Sequence, residues 1–243
     1  MLIRHVPARH FTPANRGRDD VTLIVIHTAE CGERPMAAEN LQAWTAGPNA
    51  NKSSWHYAVD SDSVTQSCLE KDIAWHAGLA NGHSIGIELA GTASQTPAQW
   101  TDAFSRATLD NAARLAARIC HERGIRPVRL TTEEIRGKRA KGFAGHVDCN
   151  KAFAGGKGHT DPGPAFPWLA FLERVRVHLA ASEAETLPAL PDDGDRGTPT
   201  DVVAVPEMRE PPSIERVHIV RNNRDMIDAL IKGRRGGPPD DAA

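Results

Sequence analysis

VTLIVIH, residues 21–27, is a run of β-branched and other apolar residues that ends in a histidine. Strands of this composition are usually buried on both faces of a sheet that carries helices on either side. SIGIELAG, residues 84–91, is a second run of the same kind. The two runs predict buried strands of an α/β protein. His27 closes the first strand, and functional side chains in open α/β sheets cluster at the carboxyl ends of strands.

Three other segments have the apolar spacing of helices. RPMAAENLQAWTAG, residues 34–47, places apolar residues three and four apart and ends in glycine. A longer helix is predicted from Pro97 to about Arg123, because a capping box at residues 96–99 precedes it and a glycine follows it. Residues 165–180 predict a closing amphipathic helix.

The remaining segments complete a mixed α/β pattern. WHYAV (55–59) and SVTQSC (63–68) flank a polar turn and predict a β-hairpin. PVRLTTEEI (127–135) and FAGH (143–146) predict a shorter strand and a loop. The resulting order is strand, helix, hairpin, strand, long helix, strand and final helix, which predicts a mixed central β-sheet flanked by helices.

Composition and charge narrow the classes of function. The formal net charge is -2 over 243 residues, so the strongly basic face of a nucleic-acid binder is not expected. No apolar run approaches the ~18 residues of a membrane span, and the N-terminus lacks the apolar core of a secretory signal. We therefore expect synthesis in the cytoplasm without a signal peptide. The 4 cysteines form no CxxC pair and predict reduced, partly buried thiols.

The composition changes after Ala181. Residues 182–213 are rich in proline, aspartate and glutamate, as flexible linkers are. Residues 214–243 could form a strand and a short helix but are too few to bury a core alone. The sequence therefore predicts one domain at residues 1–181, a linker at 182–213 and a short C-terminal segment of unknown role at 214–243.

GHVDCNKAFAGGKGHTDPGPAFPW, residues 145–168, concentrates side chains that bind metals or move protons. These are His146, Asp148, Cys149, His159 and Asp161. Three protein ligands and one water molecule are the pattern of a catalytic zinc site. Together with His27 this loop could supply such a site, but spacing alone does not choose the third ligand among Cys149, His159 and Asp161.

Motifs along most of the chain resemble one enzyme family. IVIHTAE, WHYAVD, WHAG with SIGIELAG, GHVD and TDPGPAFPW follow the order found in the zinc-dependent N-acetylmuramoyl-L-alanine amidases of the type 2 amidase family. The similarity runs from about Val21 to Leu179. It implies the fold that these amidases share with peptidoglycan recognition proteins and amidase-type bacteriophage lysozymes. It also implies, for residues 1–181, hydrolysis of the amide bond between N-acetylmuramic acid and L-alanine in bacterial peptidoglycan.

The resemblance implies roles for single residues. Zinc would be held by His27, His146 and Asp161, the last at a position that is cysteine in some relatives. Glu88 matches the position that often carries the general acid/base, and its burial at a strand end suits that role; the alternative is a glutamate that merely caps the sheet. His159 stands where many relatives have a lysine that stabilises the oxyanion, and a histidine can donate the same hydrogen bond.

WHAG, residues 75–78, resembles the segment that lines the cleft of the family. This resemblance implies that Trp75, His76 and Asn81 contact the substrate. Asp148 is expected either to orient a ligand imidazole or to cap its own loop.

Four functions remain possible for a chain with this resemblance. A phage or prophage endolysin would reach the wall after holin-type release, and a cytoplasmic amidase would recycle imported muropeptides. A non-catalytic peptidoglycan-binding module would have lost a zinc ligand, which the complete set of His27, His146 and Asp161 argues against. A structural protein of a phage particle is the fourth. The long loops and the C-terminal extension favour the endolysin, and the sequence does not predict the oligomeric state.

Overall fold

The computed structural model describes residues 3–48, 50–156 and 158–186 of the chain. The strands are β1 (Arg4–His5), β2 (Phe11–Thr12), β3 (Leu23–Thr28), β4 (Tyr57–Val59), β5 (Val64–Gln66), β6 (Ile73–Ala74), β7 (Ser84–Leu89) and β8 (Gly142–Gly145). The α-helices are α1 (Ala37–Ala46), α2 (Ala103–Arg123), α3 (Thr132–Gly137), α4 (His146–Phe153) and α5 (Trp168–Thr186). Two 3₁₀ helices cover Gly78–His83 and Gln99–Thr101.

A mixed sheet forms the centre of the described residues, with six strands in the order β1-β5-β4-β7-β3-β8. The neighbours β4, β7, β3 and β8 are parallel, whereas β4 and β5 form the antiparallel hairpin predicted for residues 55–68. A separate two-stranded sheet pairs β2 with β6. The predicted mixed central sheet flanked by helices is confirmed.

The two faces of β3 and β7 are buried under different helices. Ile24 and Ile26 of β3 lie with Ile87 of β7 in the larger apolar cluster, which α2 and α5 complete. Leu23 and Val25 point to the other face, where they pack with residues of α3 and α4. Both strands are buried along their full length, which explains why their sequences lack an alternating pattern.

Two predicted elements differ in the structure. The capping box at residues 96–99 starts only a 3₁₀ turn, because Asp102 adopts an extended conformation and its side chain accepts from the backbone N–H of Ser105 as a new N-cap. The α-helix therefore begins at Ala103 and not at Pro97. The shorter strand predicted for the segments 127–135 and 143–146 lies in the second of them, as β8. The first segment keeps only an isolated bridge from Arg129 to Phe143, because Thr131 and Glu134 form a capping box that starts α3.

The ends of the domain differ in detail from the predicted boundaries. A third of the predicted loop at residues 145–168 is helical, as α4 (His146–Phe153). The closing helix α5 continues past Ala181 to Thr186. The rest of the predicted linker, residues 187–213, and the segment 214–243 lie outside the described residues. Among the helices that are described, none has the length and apolarity needed to cross a membrane.

A buried carboxylate ties the hairpin to α2. Glu70, of which 9 % is exposed, accepts hydrogen bonds from the Tyr57 hydroxyl at 2.7 Å and from Arg118 and Arg123 at 3.0 Å each. Burial opposes the charge of Glu70, but the Tyr57 hydrogen bond and the two guanidinium groups outweigh it and lower the pKa of this carboxyl below its ordinary value. The ionised carboxylate therefore stabilises the folded state at neutral pH.

We expect Glu70→Gln to lower the free energy of unfolding at pH 7 by about 2–3 kcal/mol, since two guanidinium groups lose their anionic partner. Urea titration measures this loss. Because the folded-state pKa of Glu70 is lowered, its stabilisation is complete above the ordinary pKa of glutamate and is lost as the pH falls through the folded value, so the difference from wild type should shrink in acid.

Glu122→Gln is the matched control, because Glu122 pairs with the same Arg118 at 2.9 Å but is 44 % exposed. Its loss should stay below about 0.5 kcal/mol. Equal losses in the two variants would contradict the stabilising role of the buried carboxylate.

Candidate metal centre

The carboxyl ends of three parallel strands meet at one edge of the sheet. His27 of β3 is in register with Glu88 of β7, and Ile26 with Gly145 of β8. Residues in register on neighbouring strands point to the same face, so the side chains of His27 and Glu88 both face the side of α3 and α4. His146 follows Gly145 as the first residue of α4 and reaches the same edge.

Two imidazoles and one carboxylate converge there. His27, His146 and Asp161 are buried, and one ligand atom from each lies within 4.8 Å of the others. Nδ1 of His27 is 2.9 Å from Oδ2 of Asp161, and Nδ1 of His146 is 3.3 Å from Oδ1 of the same carboxylate. This donor set fits zinc, which takes imidazole nitrogen and carboxylate oxygen and leaves a position open in catalytic sites. The structure thus brings together the three residues predicted as ligands.

Close backbone packing carries Asp161 to His146. The backbone N–H of Val147 donates to the carbonyl oxygen of Asp161 at 3.0 Å. Gly145 makes the approach possible, because a Cβ atom at this position would lie 2.6 Å from Cδ of Pro162. Gly163 has a φ of +96°, and a Cβ atom there would overlap the carbonyl oxygen of Ala93. Gly145 therefore permits the close contact between the two ends of the loop, and Gly163 permits close packing against Ala93.

Asp161 carries its negative charge at neutral pH. Burial alone would raise its pKa, but hydrogen bonds with His146 and His27 act more strongly in the opposite direction. The net pKa lies well below that of an ordinary aspartate. A metal ligand must be deprotonated, and this carboxyl already is.

Cys149, the alternative third ligand, lies elsewhere. It is 2 % exposed on α4 and packs in the apolar cluster with Leu23, Val25 and Ala144. Burial raises the pKa of its thiol to about 12, with a smaller contribution from the charge of Asp148. In the part of the chain that the structure describes, the group that can hold a metal consists of His27, His146 and Asp161, without Cys149.

Asp148 caps α4. Its carboxylate accepts from the backbone N–H of Gly145 at 2.9 Å and from the Arg129 guanidinium at 2.9 Å and 3.0 Å. The same guanidinium lies over the Trp168 ring, 4.7 Å from its centre. Of the two expected roles the structure gives capping, and Asp148 thereby fixes the helix end that carries His146.

Glu88 and His159 both line the cleft that contains the three converging side chains. Glu88 is 8 % exposed and lines the cleft beside them. The ring of His159 stacks on His146 with 4.2 Å between centres, and its Nδ1 lies 3.7 Å from Oδ1 of Asp161. With a side chain that is 68 % exposed, His159 stands at the mouth of the site.

The ligands open into a cleft of about 680 Å³ whose walls include the predicted substrate residues Trp75, His76 and Asn81. The Trp75 indole N–H donates to the Thr12 hydroxyl at 2.9 Å, and the ring stacks with His10 at 6.0 Å between ring centres. The side-chain oxygen of Asn81 accepts from the backbone N–H groups of His76, at 3.1 Å, and Ala77, at 2.6 Å. Asn81 therefore shapes the wall of the cleft.

His76 uses both ring nitrogens inside the protein. Its Nδ1 lies 3.0 Å from Nε2 of His27, and its Nε2 lies 3.1 Å from the Ser84 hydroxyl. Burial lowers the pKa of His76 well below its usual range, and the neighbouring His27 adds to the effect. Sequence reasoning missed Ser84, although it opens the SIGIE motif, and Glu30, although it ends the IVIHTAE motif. It also missed Lys52 in the cleft wall, which belongs to none of the quoted motifs.

Comparison with known proteins gives consistent results. Residues 17–164 match the family described as N-acetylmuramoyl-L-alanine amidase, a range that includes every predicted site residue. The chain is 30% identical over 169 residues to N-acetylmuramoyl-L-alanine amidase A of Achromobacter lyticus. The aligned region covers 65% of this chain and 84% of that relative. The crystal structure of the Staphylococcus aureus hydrolase AmiA with its ligand has a TM-score of 0.57 at 18% identity over 76% of this chain and 86% of that chain, which shows a shared fold.

We expect Asp161→Ala to abolish stoichiometric zinc binding and Cys149→Ala to preserve it, because only the first removes a converging ligand. Metal content of the purified variants after dialysis, measured by atomic emission, checks both. Thermal unfolding separates a lost ligand from a lost fold. Zinc retained in Asp161→Ala and absent from folded Cys149→Ala would overturn the ligand assignment.

Proposed function

The chain belongs to the N-acetylmuramoyl-L-alanine amidase family, and we propose that it is a zinc-dependent hydrolase of the bond between N-acetylmuramic acid and L-alanine in bacterial peptidoglycan. The observation that carries the proposal is the convergence of His27, His146 and Asp161 beside the carboxyl of Glu88, at the floor of an open cleft. Zinc held by these three residues would supply Lewis acidity, which activates water and polarises the amide carbonyl.

The residues of the chain have separate tasks in this reaction. Glu88 would accept a proton from the attacking water and deliver it to the nitrogen of L-alanine as the amide bond breaks, so that the carboxylate is regenerated. His159, at the exposed side of the ligands, would donate a hydrogen bond to the carbonyl oxygen as negative charge develops on it. Trp75 would present its ring face to the sugar or to the stem peptide.

Purified peptidoglycan tests the activity. We expect the full chain to release new L-alanine amino termini without new reducing sugar ends, and we expect removal of zinc by a chelator to abolish the release and added zinc to restore it. A protein that binds the wall without releasing amino termini would be the non-catalytic binding module instead.

The same assay separates the two proposed catalytic groups. Glu88→Gln should lower kcat by about 10²–10⁴-fold, and His159→Ala by about 10²-fold, with zinc content unchanged in both. The rate falls in Glu88→Gln because proton transfer is lost, and in His159→Ala because stabilisation of the oxyanion is lost. Wild-type turnover by either variant in its zinc-loaded form would remove that residue from the mechanism.

We also propose that the enzyme is an endolysin that is delivered to the wall after holin-type release. The proposal is supported by the extension that follows α5, which an enzyme of soluble muropeptides does not require. In this proposal the domain predicted at residues 1–181 extends to the end of α5 at Thr186 and is catalytic. The rest of the predicted linker, residues 187–213, connects this domain to residues 214–243, which attach the enzyme to the wall.

Comparison of the full chain with a chain that ends at Thr186, on intact wall and on soluble muropeptide, tests this role. We expect the shorter chain to keep its activity on muropeptide and to lose activity on intact wall. Attachment through the C-terminal segment keeps the enzyme close to its substrate only when the substrate is insoluble. Rates that stay in proportion on both substrates would favour a recycling amidase. Recovery of the chain in purified phage particles would favour a structural role.

A further inference from the structure

His76 links the metal ligand His27 to a backbone carbonyl group. Nδ1 of His76 is 3.0 Å from Nε2 of His27, and Nε2 of His76 is 3.1 Å from Oγ of Ser84. The Ser84 hydroxyl in turn donates to the carbonyl oxygen of Ala80 at 2.8 Å. These four groups form an unbroken hydrogen-bond chain from the metal centre to the 3₁₀ helix at Gly78–His83.

The carbonyl end fixes the direction of the chain. A carbonyl oxygen only accepts, so the single hydroxyl proton of Ser84 is used towards Ala80, and the Ser84 oxygen accepts from His76. A neutral His76 then carries its proton on Nε2 and presents a lone pair at Nδ1. Nε2 of His27 donates to that lone pair. Nδ1 of His27, the atom that faces Asp161, is therefore the nitrogen left for a metal.

The surrounding structure holds the His76 ring in this place. The side chain of Asn81 fixes the backbone of His76, and the ring stands edge-on to His27 at an interplanar angle of 84°. On the other side the ring lies against Gly86 of β7, where a Cβ atom would be 2.7 Å from the imidazole. Any other residue at position 86 would push His76 away from its two partners.

We propose that His76 and Ser84 are positioning residues that hold His27 with its proton on Nε2 and with Nδ1 directed at the metal. The inference rests on the proposed function for the identity of the ion. It also replaces the interpretation of His76 as a substrate contact. Hydrogen-bond partners of this kind change metal affinity by about 10–100-fold.

Zinc affinity of the full chain, measured by competition with a chromogenic chelator, tests the proposal independently of catalysis. We expect His76→Phe, which keeps a ring but no acceptor, to weaken zinc binding by about 10–100-fold. His76→Asn should recover most of the loss, because its side-chain oxygen can accept the same proton. Ser84→Ala should give a smaller loss, since it frees His76 to change tautomer.

His83→Phe is the matched control. His83 belongs to the same 3₁₀ segment and stands edge-on to Phe153 with 6.4 Å between ring centres, in a position that does not line the cleft. It should bind zinc as wild type does. Thermal unfolding of every variant identifies any variant that fails to fold. If His76→Phe fails to fold, the zinc affinity of Ser84→Ala and a spectrum of the wild-type protein test the proposal instead.

That spectrum is a long-range ¹H–¹⁵N correlation of the histidine rings in the zinc-loaded wild type. We expect the proton of His27 on Nε2. Coordination through Nε2, or zinc affinity of folded His76→Phe within about two-fold of wild type, would overturn the proposal. A wild-type chain that binds zinc as expected but releases no amino termini would overturn the proposed function and leave this inference intact.

Discussion

The parallel register of β7, β3 and β8 is the constraint on which the rest of the site depends. It sets His27 beside Glu88 and ends β8 at Gly145, so that the first residue of α4 is a second imidazole at the same sheet edge. A shift of one residue between β3 and β7 would turn one of the two side chains to the opposite face, into the apolar cluster under α2 and α5. The apolar residues that fill both faces make such a shift costly, and the core thereby secures the geometry of the polar groups.

The alternation of β7 shows how one short strand serves both core and site. Ile85, Ile87 and Leu89 point into the larger apolar cluster. The opposite face of β7 carries Ser84, Gly86 and Glu88, because residues two apart in a strand point to the same side. Each of these residues makes a different contribution to the site. Ser84 contributes a hydroxyl, Gly86 contributes space for the His76 ring and Glu88 contributes a carboxyl. The polar face of β7 thus lies directly against His76, which contacts the proposed metal ligand His27.

Sequence reasoning succeeded where a local pattern has one physical outcome. The runs at residues 21–27 and 84–91 predict buried strands, because short apolar runs rich in β-branched residues are typical of strands that are covered on both faces of a sheet. The start of α2 could not be predicted in the same way, since two capping signals stand close together and tertiary packing decides between them. The proposed ligands His27 and Asp161 are far apart in sequence, and only the resemblance of ordered motifs, not spacing, favours Asp161 over Cys149.

The choice of Asp161 over Cys149 has a physical basis that appears only in three dimensions. Both side chains are buried, but Asp161 faces two imidazoles and Cys149 faces the apolar residues of the second cluster. Burial raises the pKa of the Cys149 thiol to about 12, whereas the pKa of the Asp161 carboxyl is lowered. At neutral pH a metal meets an anion at Asp161 and would have to displace a proton at Cys149. The electrostatic environment that His27 and His146 create therefore favours Asp161 as the proposed ligand, because the carboxyl of Asp161 is already ionised.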